Sequence, residues 1–424
     1  MTVDTARPTA APEDRTTEAR GILRANDRGG YTVPTERLYP FQWNWDSLFV
    51  ALGWAEFDPV RATAEIDTLF RAQRPSGMIP HIVFWTEEST YFPGPDVWRT
   101  APVEPSGSGI SQPPVAATIV RRLVEAGLSL DRGHVEAIER WHAWWHRARD
   151  PEQQGVIAIS HPWESGRDNL PDWDAPLAAV DTSGVQPYER RDLALVDAAM
   201  RPHQSDYDRY LALVDYGARH GWDDAAIAEG SPFWVADVGI SSILLRAERD
   251  LAWLTRRLGL DPAAVEHRIA RLTAGYEQFW NPDVGAYCSF DLRTGRHADA
   301  GTSASFLAAY AGVDARLGEV IDELDRWAKA CTYLVPSFDP RHEKFEPLRY
   351  WRGPVWGMVN YMIATGLADV GADDWAQRIR TSTHDLILAS GMPESFDPMT
   401  GTAVGGGSFA WTAAIWLTWA GQDS

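Results

Sequence analysis

The chain runs to 424 residues, 45% hydrophobic and 23% charged, proportions that fit a folded protein with a large core rather than a disordered chain. Its 59 acidic residues outnumber 39 basic ones, giving a formal charge of -20; this excludes the phosphate-neutralising surface that nucleic acid requires and disfavours an anionic membrane face. The two cysteines, Cys288 and Cys331, supply neither a disulfide framework nor a four-ligand zinc site. Residues 1–20 mix Pro, Thr and charges without an apolar signal-type stretch, so a cytoplasmic protein is expected, with a disordered tail over 1–14. No apolar run reaches the length of a membrane span.

A first helix is expected before Asn26, and apolar residues then recur at helical spacing over 46–57 and 59–73, the latter opened by Pro59. The same spacing returns over 113–128, 134–149, 205–221, 234–259, 261–280, 303–312, 314–329, 353–371, 373–390 and 409–421, with a further helix near 186–200. Strand signals stand out only at 79–85 and 286–291. Very apolar helices alternate with amphipathic ones, as two concentric rings require, the inner ring being buried on more of its surface. The chain therefore reads as all-α and, lacking a Gly/Ser linker or a fixed-period repeat, as a single domain over 15–424.

The loops at 39–46, 74–112, 161–176, 336–356 and 391–411 are rich in Trp, Gly, Pro and carboxylates, and long loops of this kind are where function concentrates. The chain also carries 21 Trp. Aromatic rings of this number either fill a helical core or offer flat apolar faces to sugar rings, and Trp beside carboxylates favours the second.

Two segments combine these features. Residues 161–174 hold Glu164, Asp168, Asp172 and Asp174 with Trp163 and Trp173. Aromatic neighbours that strip water from a carboxyl favour its protonated form, which suits a general acid. Residues 390–414 hold Glu394 and Asp397 ahead of the glycine run 405–407. That run lacks the following Lys-Ser/Thr of a phosphate loop, and Asp397 with Gly401 reads as a turn. His81, His161 and His203 stand in loops without paired ligand spacing, so no metal and no cofactor is expected.

The segment from Trp163 to Asn169 (WESGRDN) resembles the ESG…D signature of trehalases and glycoside hydrolase family 63. Tyr350 to Trp356 (YWRGPVW) resembles their YWRGP segment, Pro393 to Pro398 (PESFDP) their second carboxylate segment, and Gly109 to Pro114 their SQPP loop. In expected order these motifs cover nearly the whole chain. The resemblance implies an (α/α)6 barrel with long loops on one face and an inverting glycosidase with Asp168 as acid and Glu394 as base. Ser395 departs from the pattern, where an aromatic or charged residue is more usual.

Residues 26–49, with YPFQWNWDS, resemble the single-domain hydrolases of mannosylglycerate and glucosylglycerate. On that resemblance the substrate is a small glycoside of glycerate. Trp43, Asp46, Trp351 and Trp356 are expected to line the sugar subsite, and Tyr350 is expected to bind substrate. Arg201 is expected to face the glycerate carboxylate, a geometry suited to a guanidinium, with Tyr39, Tyr91, Gln112 and Tyr207 as hydroxyl or amide partners. The loop 83–100 is expected to act as a lid. A trehalase, a small-oligosaccharide α-glucosidase and a sugar-binding barrel without activity remain open alternatives. Gluco or manno preference and oligomeric state remain open too.

Overall fold

The computed structural model describes residues 11–88 and 91–422. Pro12, with its fixed φ and no amide hydrogen, opens α1 (Pro12–Asn26), so the last residues of the expected tail form a first helical turn; residues 1–10 lie outside the described residues. Thirteen of the fourteen expected stretches resolve into helical structure. In chain order α1 is followed by α2 (Asn44–Ala55), α3 (Pro59–Arg71), α4 (Pro95–Trp98), α5 (Ala116–Glu125) and α6 (Arg132–Arg149). Next come α7 (Asp174–Ala178), α8 (Gln204–Arg219), α9 (Asp224–Gly230), α10 (Val238–Arg257) and α11 (Ala263–Gly275). The last are α12 (Leu307–Tyr310), α13 (Leu317–Ala328), α14 (Gly357–Asp369), α15 (Asp373–Ser390) and α16 (Ala410–Ile415), the final one running into a π-turn over Trp416–Ala420.

Helix burial follows composition. α2 is buried continuously from Asn44 to Trp54, and α14 from Gly357 to Ala364. By contrast α3 buries Ala62, Glu65, Ile66, Thr68 and Leu69, one stripe at helical spacing. The apolar helices contact one another in succession: α2 packs on α5, α5 on α10, α10 on α12, α12 on α14, α14 on α16, and α16 on α2. The amphipathic helices back them, with α1 on α16, α3 on α2, α6 on α5 and α10, α11 on α10, and α15 on α14. The α2–α16 approach is close enough that a Cβ at Gly53 would lie 2.7 Å from the Ala414 backbone.

One expected helix is absent. Residues 186–200 form a loop with two short 3-10 turns, Asp192–Ala194 and Ala198–Met200. Asp197 spends its carboxylate capping the second turn at Ala199, and Asp192 spends its own on Arg190 and Arg201, local and long-range bonds that compete with a helix. The strand signals correspond to short antiparallel ladders. Ile82–Phe84 pairs with Gln42–Trp43 and with Ser106–Gly107, and Val235–Ala236 pairs with Ala158–Ile159 and Phe290–Asp291. Gln42–Trp43 leads directly into α2 and Val235–Ala236 into α10, so these ladders fix the loops that enter the buried helices. Among the described residues no helix is long and apolar enough to cross a membrane.

Candidate active site

At the entrance to α2, Asn44 donates from Nδ2 to the carbonyls of Ile79 and Pro80, and its amide donates to His81. The Trp45 amide donates to Gln112 Oε1 at 3.3 Å. Asp46 thus sits in the first turn of α2, where the helix dipole favours a carboxylate. Burial works against this: it holds the Asp46 carboxyl well above its ordinary range, with the charges of Glu394 and Asp168 adding to the effect.

The segment 160–174 sorts its four carboxylates by their partners. Glu164 is wholly enclosed, bound by Arg149 at 2.7 Å and by the Ser160 amide and hydroxyl, so it braces the loop. Asp174 forms a two-pronged ion pair with Arg352 at 2.8 and 3.0 Å. Asp172 is buried behind the loop, away from the pocket that Asp168 faces, and its carboxyl is pushed up to about 7 by burial. Asp168 is held by its backbone, its carbonyl accepting from Tyr210 Oη at 2.9 Å, while its carboxyl opens into the pocket. Among the described residues no side chain donates a hydrogen bond to that carboxyl.

Glu394 precedes a two-residue strand, Ser395–Phe396, paired with Ala403–Val404. Its amide donates to the Gly406 carbonyl at 2.7 Å, and the Gly406 amide returns a bond to Oε2 at 3.0 Å. Tyr39 Oη donates to Oε1 at 2.9 Å, and Arg201 Nη1 stands 3.7 Å from the same oxygen. Gly405, at φ +80°, is required here because a Cβ would fall 2.3 Å from Glu394 Oε2. Asp397 accepts from the Met399 amide and the Thr400 hydroxyl, the turn its spacing suggested.

These loops line a pocket that opens to solvent. Of the expected residues, Asp46, Asp168 and Glu394 reach it together with Tyr39, Trp43 and Tyr91. Gln112, Arg201, Tyr207 and Tyr350 also line it. Trp351 and Trp356 do not: they stand one layer behind, stacked on each other at 3.9 Å with 1° between their planes. Trp351 packs on Trp45 and Trp356 on Trp411, and these two do form the wall. Sequence reading missed Trp45, Phe409, Trp411 and His81 as lining residues. Trp45 lies two positions after Trp43, a spacing that puts a pair on one face only in a strand; the switch from strand to helix at Asn44 brings both to the pocket. The loop 83–100 reaches the pocket through Tyr91 and Pro93, and its residues 89–90 lie outside the described residues.

The two facing carboxyls differ in environment. The Asp168 carboxyl is raised to about 7, chiefly by loss of solvation, with the Glu394 charge adding to the rise and Arg201 opposing it. Loss of solvation also raises Glu394, but Arg201, the Gly406 amide and the Tyr39 and Tyr350 hydroxyls oppose it. One carboxyl is therefore placed to hold a proton near neutrality, while the other, though also raised, has donors around it that favour its anion.

A family model for the mannosylglycerate hydrolase MGH1-like glycoside hydrolase domain matches residues 39–412. The chain is 45% identical to a mannosylglycerate hydrolase of Thermus thermophilus over 94% of its own length and 98% of the relative's. It is 33% identical to a glucosylglycerate hydrolase of Mycolicibacterium hassiacum, covering 98% and 99% of the two chains. The crystal structure of a Thermus thermophilus family 63 mannosylglycerate hydrolase with Tris and D-glycerate superposes with a TM-score of 0.92 at 44% identity, over 95% of this chain and 99% of that one.

Proposed function

The chain belongs to the MGH1-like glycoside hydrolases of family 63 and is a glycoside hydrolase; from that premise we propose that it cleaves a hexosyl glycerate, with glucose or mannose as the sugar, by inversion at the anomeric carbon. The observation that carries this reading is the pair of unlike carboxyls lining one pocket, Asp168 with no side-chain donor among the described residues and Glu394 with three protein donors around it. In this reading the cyclic succession of helix contacts from α2 through α16 is the inner layer of an (α/α)6 barrel, and the whole forms one catalytic domain.

The Asp168 carboxyl gives its proton to the glycosidic oxygen as the bond from that oxygen to the anomeric carbon breaks. Glu394 takes a proton from a water whose oxygen bonds to the anomeric carbon on the opposite face, releasing the hexose with inverted configuration and glycerate. Room for that water requires the two carboxyl groups about 6.5–9.5 Å apart. The walls formed by Trp43, Trp45 and Trp411 supply apolar faces for the sugar ring. Arg201, whose Nε is bound to Asp192 and whose Nη1 is bound to Tyr39, is the cation nearest the base and supplies positive charge for the glycerate carboxylate. The test is incubation with α-glucosylglycerate, α-mannosylglycerate, trehalose and kojibiose, with the first-formed anomer followed by NMR. Release of the β-anomer from a glycerate glycoside is the expected result; release of the α-anomer overturns inversion, and turnover of trehalose alone overturns the substrate.

A further inference from the structure

The loop 186–203 places a carboxylate, Asp192, that does not line the pocket yet is bound to two cations that do touch its walls. Asp192 Oδ1 accepts from Arg190 Nε at 3.1 Å, and Oδ2 accepts from Arg190 Nη2 at 2.6 Å and from Arg201 Nε at 2.9 Å. Arg190 lies over the Tyr207 ring at 3.8 Å, and Arg201 lies over the Tyr350 ring at 4.3 Å. Arg190 is itself fixed by a bond from Nη1 to the Pro202 carbonyl, and the Arg201 carbonyl accepts from Arg349 Nη1. The side chains of Asp192 and both arginines are less than a tenth exposed.

With Nε taken by Asp192, the Arg201 fork can turn in only one way, and its Nη1 meets Tyr39 Oη at 2.8 Å. A guanidinium has donors only, so Tyr39 Oη must accept there. The single phenolic proton of Tyr39 is then free to point at Glu394 Oε1, 2.9 Å away. Tyr350 Oη, 3.1 Å from the same phenol oxygen, adds to this arrangement. The order of donors runs one way, from Arg201 to Tyr39 to Glu394, and begins at the anion that orients Arg201.

We infer that Asp192 is a positioning residue for the reaction: by fixing Arg201 it sets the direction of the Tyr39 hydroxyl, and so the orientation and ionisation of Glu394. This rests on the reading of Glu394 as the base. Burial opposes ionisation of Asp192, but Arg190 and Arg201 together hold its carboxyl below the ordinary range, so it stays an anion across the working pH. The groups facing Glu394 are Tyr39, Tyr350, Arg201 and the Gly406 amide, with Asp168 and Asp46 adding negative charge across the pocket.

The experiment is a double-substitution cycle in the full chain. Asp192→Asn keeps the shape and removes the charge, and a lost bond to a charged group corresponds to a fall in kcat of about ten- to a hundredfold. The acidic limb of the kcat–pH profile is expected to move upward, because a cation no longer held beside Glu394 stabilises its anion less. Combined with Tyr39→Phe, the second substitution should cost little beyond the first, since both act along one chain of bonds. A folded Asp192→Asn protein with an unmoved acidic limb, or additive losses in the cycle, overturns the inference. If that variant does not fold, Asp192→Glu enters the same cycle, with partial recovery of kcat and of the limb as the expected result and additivity as the refuting one. Glu394→Gln is measured alongside: if it keeps wild-type turnover, the reading of the base fails, which is distinct from failure of the cycle.

Discussion

Gly405 offers the sharpest test of the base. A side chain there meets two obstacles: the left-handed backbone at φ +80°, and the Glu394 carboxylate, whose Oε2 would lie 2.3 Å from the new Cβ. Ordinary contact needs about 3.5 Å, so in Gly405→Ala either the carboxylate or the turn has to give by about 1 Å. The backbone penalty alone is about 1–2 kcal/mol, which a chain of this size tolerates with a small fall in Tm. The larger effect is on the reaction. The bond from the Gly406 amide to Oε2, 3.0 Å in the native turn, stretches or breaks, and a misplacement of about 1 Å costs on the order of a hundredfold in rate, about 2.7 kcal/mol of barrier. Steady-state kinetics on both glycerate glycosides should therefore show kcat down about a hundredfold with KM changed little, since the sugar and glycerate contacts stay in place. A folded Gly405→Ala protein with wild-type kcat would refute the argument that this turn holds a reacting carboxylate.

The pH profile follows from the raised Asp168. An acid works only while protonated, so kcat/KM is present below about 7 and lost as pH rises through it; on the acid side kcat/KM falls as Glu394 gains a proton, at a pH above the usual carboxylate range. A kcat/KM that is level from about pH 6 to 9 is incompatible with Asp168 as acid. Asp168→Asn should lose about 10²–10⁴-fold on a glycerate glycoside and far less on a glycosyl fluoride, whose leaving group needs no proton; equal losses on both would remove the acid assignment. Glu164→Gln leaves the enclosed Arg149 with Asp224, 3.3 Å from Nη1, as its remaining anion and should cost up to about 3–5 kcal/mol by urea titration, whereas unchanged stability would mean the pair is neutral. Arg201→Ala should raise KM steeply for a glycerate glycoside and lower kcat through Tyr39, and a KM that did not move would argue against an anionic aglycone here.

The alternation of apolar and amphipathic helices was readable because it is a local pattern, with α2 and α14 apolar all round and α3 striped. The loop 186–200 was not, because its charged residues look like a helical surface until Asp192 is seen spanning to Arg201. The same limit separated Asp168 from its neighbours. Glu164, Asp172 and Asp174 carry the same chemistry within a few residues, and only the positions of Arg149 and Arg352, brought from elsewhere in the chain, show which carboxylates are spent on structure. Trp351 and Trp356 failed as wall residues for a related reason: the two indoles stack on each other at 3.9 Å, and Trp45 and Trp411 stand between them and the pocket.

In the proposed reaction, the division of roles between Asp168 and Glu394 follows from donors more than from burial. Loss of solvation is the largest influence on both, so burial alone would make both hold protons. What separates them is local covalent geometry. Glu394 sits where a glycine turn can fold an amide back onto its own carboxylate, and where Tyr39 and Arg201 converge. Asp168 is anchored by its carbonyl to Tyr210, which leaves the carboxyl aimed at the pocket with only its own backbone amide as a donor among the described residues. A donor introduced beside Asp168 would therefore lower its proton affinity and erode the acid, without touching a residue of the base. The glycine run after Glu394 and the backbone bond behind Asp168 are opposite solutions to one electrostatic problem, keeping one proton on and the other off at the same pH.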